Sequence, residues 1–410
     1  VGSPVSGQVY NDAYATTNSI ATASNKRGIA THNNLVALNN WTYLKSDDSN
    51  SGTFGVGTGY SIKTSKTTDV SFTGSLNTNA VNKGINIGAG SSYNLISNPF
   101  TTFINSGSFL SLTENSNKLT SETIWIWNPT SKNYESKITV SAFKVAPGQA
   151  FFVKCATAGD LEFKEEIQSH ESTDTFLRTK ASPEIQLNVT DGDLKRFAKV
   201  YYNENATKGF DNGYDGETFA GASNSFDVFT QLLENNQGVN YQIQSLPNSD
   251  LETMVLPIGL VAKKDKEITF SADALNLPLG IKVFLEDKLT NTITRLDEEN
   301  ANYKITVKES LNGIGRFYLH TKQSSVLGSI DNLLENISVY KVNNSTLRII
   351  GLQQGNTKVK LFSVLGKQVM NSSFNANGVK EVSLPKLAKG VYIVQLTTKV
   401  GKMNKKIILE

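Results

Sequence analysis

Cysteine is all but missing from these 410 residues: Cys155 stands alone. No intrachain disulfide can form, which excludes the stapled architecture of small secreted domains. Cys155 falls in the strand-like run Phe151-Phe152-Val153-Lys154-Cys155 and is expected to be a buried, inert thiol. Histidine is scarce too. His32, His170 and His320 are far apart and none sits in a paired metal-binding spacing, which removes the zinc-protease reading. No Gly-x-Ser-x-Gly elbow is present, which argues against an α/β serine hydrolase. The run Gly55-Val56-Gly57-Thr58-Gly59 lacks the phosphate-binding lysine and the strand-to-helix context of a nucleotide loop, and reads as a hairpin turn. No apolar run approaches the roughly 18 residues that a membrane-spanning helix requires.

What the chain does have is Ser, Thr, Asn and Gly, with few runs of the residues that favour helix. The expected fold class is therefore all-β, built as tandem sandwich or jelly-roll-like modules ending in a small Ig-like sandwich. A length of 410 residues suggests two to four domains. At most one short helix is expected, over residues 226–233.

The last seventy or so residues are the most informative. Thr357-Lys-Val-Lys-Leu-Phe-Ser-Val-Leu-Gly-Lys-Gln-Val369 and Leu387-Ala-Lys-Gly-Val-Tyr-Ile-Val394 are short β-branched runs bounded by Gly, Asn or Pro, as in a small antiparallel sandwich. Leu365-Gly366 and Val400-Gly401 stand where tight turns are expected. Together with Ile337-Ser338-Val339-Tyr340 and the closing Lys405-Lys406-Ile407-Ile408, these motifs resemble the type A C-terminal sorting domain of proteins exported by the type IX (Por) secretion system of the Bacteroidetes. That resemblance implies a folded signal read by the secretion translocon and its PorV-type outer-membrane barrel shuttle, and often removed afterwards. The residues expected to carry docking are Gly366, Lys367, Gly390, Tyr392, Gly401, Lys402, Lys405, Lys406, Ile407 and Leu409. An unpaired terminal strand is a natural handle, because its edge can hydrogen-bond to a partner.

Charge divides the chain in the same place. Residues 339–410 hold 12 Lys and Arg against 2 acidic residues, a net of +10, which leaves −7 for residues 1–338 out of the chain's +3. The lysines alternate with apolar residues and few aromatics lie among them, so nucleic acid is not the expected partner. Two readings remain: a solvated outer face, or a surface matched to an acidic partner such as the export machinery or surface lipopolysaccharide. The chain opens on Val1-Gly2-Ser3-Pro4 without a charged leader, so a signal peptide and further domains are expected upstream of Val1.

Residues 1–168 repeat themselves at a constant offset of 91. Gly57-Thr-Gly-Tyr-Ser-Ile-Lys63 matches Gly148-Gln-Ala-Phe-Phe-Val-Lys154, and Asp69-Val-Ser-Phe72 matches Asp160-Leu-Glu-Phe163. The expectation is a duplicated β unit, about 1–80 and 81–168. The Ser-Pro and Asn-Pro openings and the Trp-x-Trp-Asn run also resemble regions before the sorting domain in surface or secreted proteins of gliding flavobacteria. A polar boundary follows, then a second β-sandwich over 183–322, a linker over 323–336 and the sorting domain over 337–410.

Two constellations carry candidate chemistry. Asp211, Asp215 and Glu217 supply three oxygen ligands within one loop, as calcium prefers, but they miss the EF-hand register, and Asn212-Gly213 and Asp215-Gly216 are also turn formers. Trp125 and Trp127 are candidates for stacking on sugar rings, against the alternative that they fill a core. The expected function is a non-enzymatic, exported surface or secreted protein, the C-terminal part of a larger adhesin-like protein. The alternative is the accessory, carbohydrate-binding end of a secreted hydrolase whose catalytic domain lies upstream.

Overall fold

A computed structural model describes residues 1–36, 40–170, 182–222, 224–323, 337–399 and 401–409. Within these residues the chain is all-β, with only short helices such as Asp12–Thr17, Ser106–Ser111 and Thr113–Ser116. The polar boundary at 171–181 and, apart from Gln323, the linker expected at 323–336 lie outside the described residues. The chain folds as two compact units. The first comprises Val1–Ala181, Thr207–Asn224 and Glu234–Ser245, and the second Ser182–Ala206, Ser225–Leu233 and Leu246–Glu410. Thr207–Asn224 and Glu234–Ser245, which lie within the range 183–322 expected for the second β-sandwich, cluster with the N-terminal residues.

The centre of the first unit is an antiparallel sheet in the order Tyr93–Ser97, Ala150–Lys154, Thr123–Asn128 and Asn133–Ile138. Side chains alternate across it. Ile124, Ile126, Phe151 and Val153 point into a core with Phe109, Leu161 and Phe163. Trp125 and Phe152 point the other way and meet Tyr93 and Phe219. Phe219 belongs to the returning segment Thr207–Asn224, and its ring lies 4.7 Å from Tyr93 and 4.9 Å from Phe152. Both faces of the sheet are therefore covered, which is why Phe151-Phe152-Val153 is buried without a break.

The repeat at offset 91 has a local counterpart. The Thr58 N–H donates to Gly55 O and the Gln149 N–H to Ala146 O, closing two turns in which Gly57 and Gly148 take φ of 69° and 64°. That left-handed backbone admits Gly without the Cβ clash of other residues. The turns exchange partners: Gly2 N–H donates to Gly148 O at 2.7 Å, and Ser97 N–H to Gly57 O at 2.9 Å. The likeness stops short of Asp69–Phe72, which has no regular structure, whereas Asp160–Phe163 lies in the strand Gly159–Phe163.

In the second unit, Glu184–Thr190 pairs with Lys195–Asn203 on one side and Glu267–Leu275 on the other, and Ile281–Asp287, Leu311–Gln323 and Val255–Ala262 follow one another across the same sheet. Their inward side chains, Ile185, Leu187, Val200, Phe270, Val283, Leu285, Phe317 and Leu319 among them, share one core. The helix expected at 226–233 is instead the strand Asp227–Thr230, buried at every position and paired with Ile258–Val261. Asp227 and Thr230 are buried along with Val228 and Phe229, so the strand shows no period of two and imitates a helix in sequence. Its Phe229 ring lies over Gly259, where a Cβ would come within 2.1 Å of the ring.

Candidate functional site

Residues 337–399 and 401–409 form a separate sheet with their own core of Val339, Leu347, Ile349, Val359, Leu361, Val394, Leu396 and neighbours. The strand order is Ser338–Asn343, Thr346–Ser363, Gly390–Thr398 and Gly401–Leu409, with Gln368–Ser383 also pairing along Thr346–Ser363. Gly401–Leu409 ends this order, with Tyr392 opposite Ile407 and Gly390 opposite Leu409. The expected docking residues divide into two sets. Tyr392, Ile407 and Leu409 are buried in the core, and the Tyr392 hydroxyl donates to Ala388 O at 2.9 Å. They hold the domain together and cannot meet a partner while it is folded.

The outward positions are the other set. Lys402 and Lys406 are exposed and Lys405 is half-buried. Lys406 sits opposite Ile393, which is 41% exposed, and Ile408 beside it is 49% exposed. The hairpin tip is open as well: Gly366 takes φ 80°, Gly366 and Lys367 are exposed, and Leu365 is 93% exposed. Gly390 and Gly401 begin the last two strands and are half-buried.

The acidic loop does not gather its three carboxylates into one site. Asp211 accepts from Thr207 N–H and from its hydroxyl, and Glu217 meets Lys154 Nζ at 2.8 Å. Asp215 is fully buried and accepts from the N–H groups of Ser245 and Asp211, each at 2.7 Å. Each carboxylate has a structural partner, and no group of three metal-ligating side chains occurs among the described residues. The loop also closes as a turn, with the N–H groups of Tyr214 and Asp215 donating to Asp211 O. Burial pushes the Asp215 carboxyl up to about 7, against the pull of its two backbone donors.

The two tryptophans differ as sharply. Trp125 is fully buried and its indole N–H donates to Glu217 O at 2.8 Å, so it is core and meets no sugar. Trp127 is 48% exposed, with Tyr134 edge-on to it at 5.1 Å. His32 lies between Trp41 and Phe152, and His170 is exposed. Cys155 is buried, and burial pushes its thiol up.

Sequence reasoning missed one cluster. On the face of Ile281–Asp287 and Leu311–Gln323 that points away from their core lie Glu286, His320 and Tyr318. Glu286 and His320 are almost wholly inaccessible. The Tyr340 hydroxyl donates to His320 Nδ1 at 3.3 Å, His320 Nε2–H donates to Glu286 at 2.8 Å, and Arg348 donates to the other Glu286 oxygen at 2.7 Å. Tyr340 and Arg348 are cross-strand partners in the last sheet. Burial lowers the His320 pKa and keeps the ring neutral, which fits one donating and one accepting nitrogen. Burial also opposes the Glu286 charge, but the His320 hydrogen bond and the Arg348 guanidinium outweigh it and hold the carboxyl below its usual range. A lone buried glutamate, histidine and arginine scattered over 62 positions leave no spacing to read.

Residues 1–320 match the family model described as "Domain of unknown function (DUF8693)". The chain belongs to the DUF8693 family. Residues 337–410 match the secretion system C-terminal sorting domain (Por_Secre_tail), and the chain is a type IX secretion substrate, exported to the cell surface or the extracellular space. No curated protein matches it. Among solved structures, a polysaccharide lyase is similar at 9% identity over 56% of this chain and 40% of its own, with a TM-score of 0.15. Dimeric latent PorU from Porphyromonas gingivalis is similar at 10% identity over 62% of this chain and 31% of its own, with a TM-score of 0.18. This chain thus spans less than half the length of either, and scores this low carry no argument. In the described residues no helix is long and apolar enough to cross a membrane. In the family frame, Glu286 and His320 belong to the DUF8693 body and Tyr340 and Arg348 to the sorting domain.

The raised Asp215 carboxyl predicts a pH dependence. The folded body holds a proton that the unfolded chain releases near pH 4, so stability from this group is complete below about 4 and is lost as pH rises through about 7. Asp215→Asn should remove that slope, about 1.4 kcal/mol per pH unit at most. All three tryptophans lie in the first unit, so urea unfolding followed by tryptophan fluorescence from pH 4 to 7 measures it. Parallel curves for the two proteins would contradict the assignment.

Proposed function

We propose that the chain is non-enzymatic cargo: a DUF8693 body displayed outside the cell, as the C-terminal part of a larger adhesin-like protein. The sorting domain at residues 337–410 is the observation that carries this reading. Four acidic and imidazole groups of the body support it, because Asp215, Glu217, Glu286 and His320 are each committed to structural partners. The sorting sandwich folds in the periplasm and meets the translocon and its PorV-type barrel shuttle through its exposed features. These are the terminal edge strand with Lys402 and Lys406, the neighbouring Ile393 and Ile408, and the hairpin tip at Gly366 and Lys367. Surface lipopolysaccharide, being anionic, is the partner for the same basic face after processing.

A second reading, a carbohydrate-binding accessory module of a secreted hydrolase, is supported by Trp127, whose exposed ring beside Tyr134 is suited to stacking on a sugar. Glycan-array binding that disappears in Trp127→Ala, with the fold intact, would favour it; identical profiles, or no binding at all, would leave the first reading.

For export, Lys402→Glu with Lys406→Glu should leave the protein folded but retained inside the cell, since both side chains are outside the core. Immunoblots of culture medium and cell fractions measure this. Undiminished release of the double variant would remove these lysines from the docking face.

A further inference from the structure

The outward face of the strand pair Ile281–Asp287 and Leu311–Gln323 is an unusual place for charge. A sheet face turned away from its core is normally solvated, yet Glu286 is 0% and His320 1% exposed. An unpaired carboxylate so buried is costly, and this one has two partners, His320 within the body and Arg348 from the sorting domain. The arrangement is specific in its donors and acceptors. Tyr340 supplies the hydroxyl that the free His320 nitrogen accepts, and Arg348 supplies the charge that Glu286 needs. Because Tyr340 and Arg348 are cross-strand partners, one strand pair presents both groups together. The Arg348 guanidinium also lies over the Tyr318 ring at 5.6 Å. Arg348 is itself buried, so the contact is desolvated on both sides.

We infer that this face of the DUF8693 body is a built receptor for the chain's own sorting domain, recognising the Tyr340–Arg348 pair, and that it holds the sorting domain in place when the backbone between them is cut. The inference goes beyond the export reading and does not depend on it: a sorting domain that failed to direct export would still sit on this face, and one that directs export need not.

The test uses the full chain with a recognition sequence for a site-specific protease inserted within residues 324–336. After cutting, gel filtration and denaturing gels report whether the two pieces travel together, and surface-immobilised body measures how fast the sorting domain leaves. The cut wild type should co-elute. Arg348→Met should weaken the association by about a hundredfold or more, since it strands the Glu286 charge in a buried site. Glu286→Gln, made in the body with the sorting domain untouched, should weaken it as well, so a failure of one variant to fold still leaves a readout. A cut wild type that separates at once overturns the inference. So does association in both folded variants equal to that of the wild type.

Discussion

A β-sheet has two faces, and the chain must find apolar cover for each that it does not give to water. In the first unit the sheet containing Phe151-Phe152-Val153 buries both. Ile124, Phe151 and Val153 are covered by a core built from neighbouring sequence, whereas Trp125 and Phe152 are covered by Phe219, which arrives from a segment 67 residues further on than Phe152. Fully burying an aromatic side chain of this size contributes about 1.5–3 kcal/mol, so the returning segment repays the entropy of ordering it only by bringing several such contacts at once. The hydrogen bonds from Trp125 and Ser136 to Glu217 O and the Lys154–Glu217 pair fix that segment in register. The requirement for two-sided cover therefore explains both the composition of the first unit and the fate of the acidic loop, whose carboxylates and carbonyls are absorbed as supports.

In the second unit one sheet face is closed by polar and charged side chains instead. The inward face of Ile281–Asp287 and Leu311–Gln323 is aliphatic and aromatic, and the opposite face carries a glutamate, a histidine and a tyrosine that the sorting domain closes over with an arginine and a second tyrosine. A buried ion pair of this kind is a weak source of net stability, yet removing either partner is strongly destabilising because it leaves an uncompensated charge. The sorting domain has its own apolar core as well. Lys402, Lys406, Ile393 and Ile408 stand outside that core and are exposed.

Much of this was legible in residue order. The strands around Ile185, Phe197, Ile268, Ile281 and Tyr303 announced themselves by alternation, and the turns at Gly57 and Gly148 by glycine at a repeated offset. What escaped had physical reasons. Val255–Ala262 contains Pro257 and Gly259, which argue against a strand. Pro257 is tolerated because the ladder to Asp227–Thr230 ends one residue away, at Ile258, and Gly259 because Phe229 needs the space. Asp227–Thr230, inside the stretch 226–233 expected as helix, hides its strand period because both its faces are buried. In the sorting domain, Tyr392, Ile407 and Leu409 follow the alternation of a core, while Ile408 of the expected terminal handle and the neighbouring Ile393 stand on the exposed face. Glu286, His320, Tyr340 and Arg348 meet only in the fold.

The account rests on the last sheet being a self-contained address that works once folded, whatever body precedes it. Fusing residues 337–410 to an unrelated periplasmic reporter, in a bacterium that possesses this exporter, and assaying the reporter in the medium and on intact cells tests that claim directly. The account predicts reporter outside the outer membrane; a folded fusion that stays in the periplasm would contradict it.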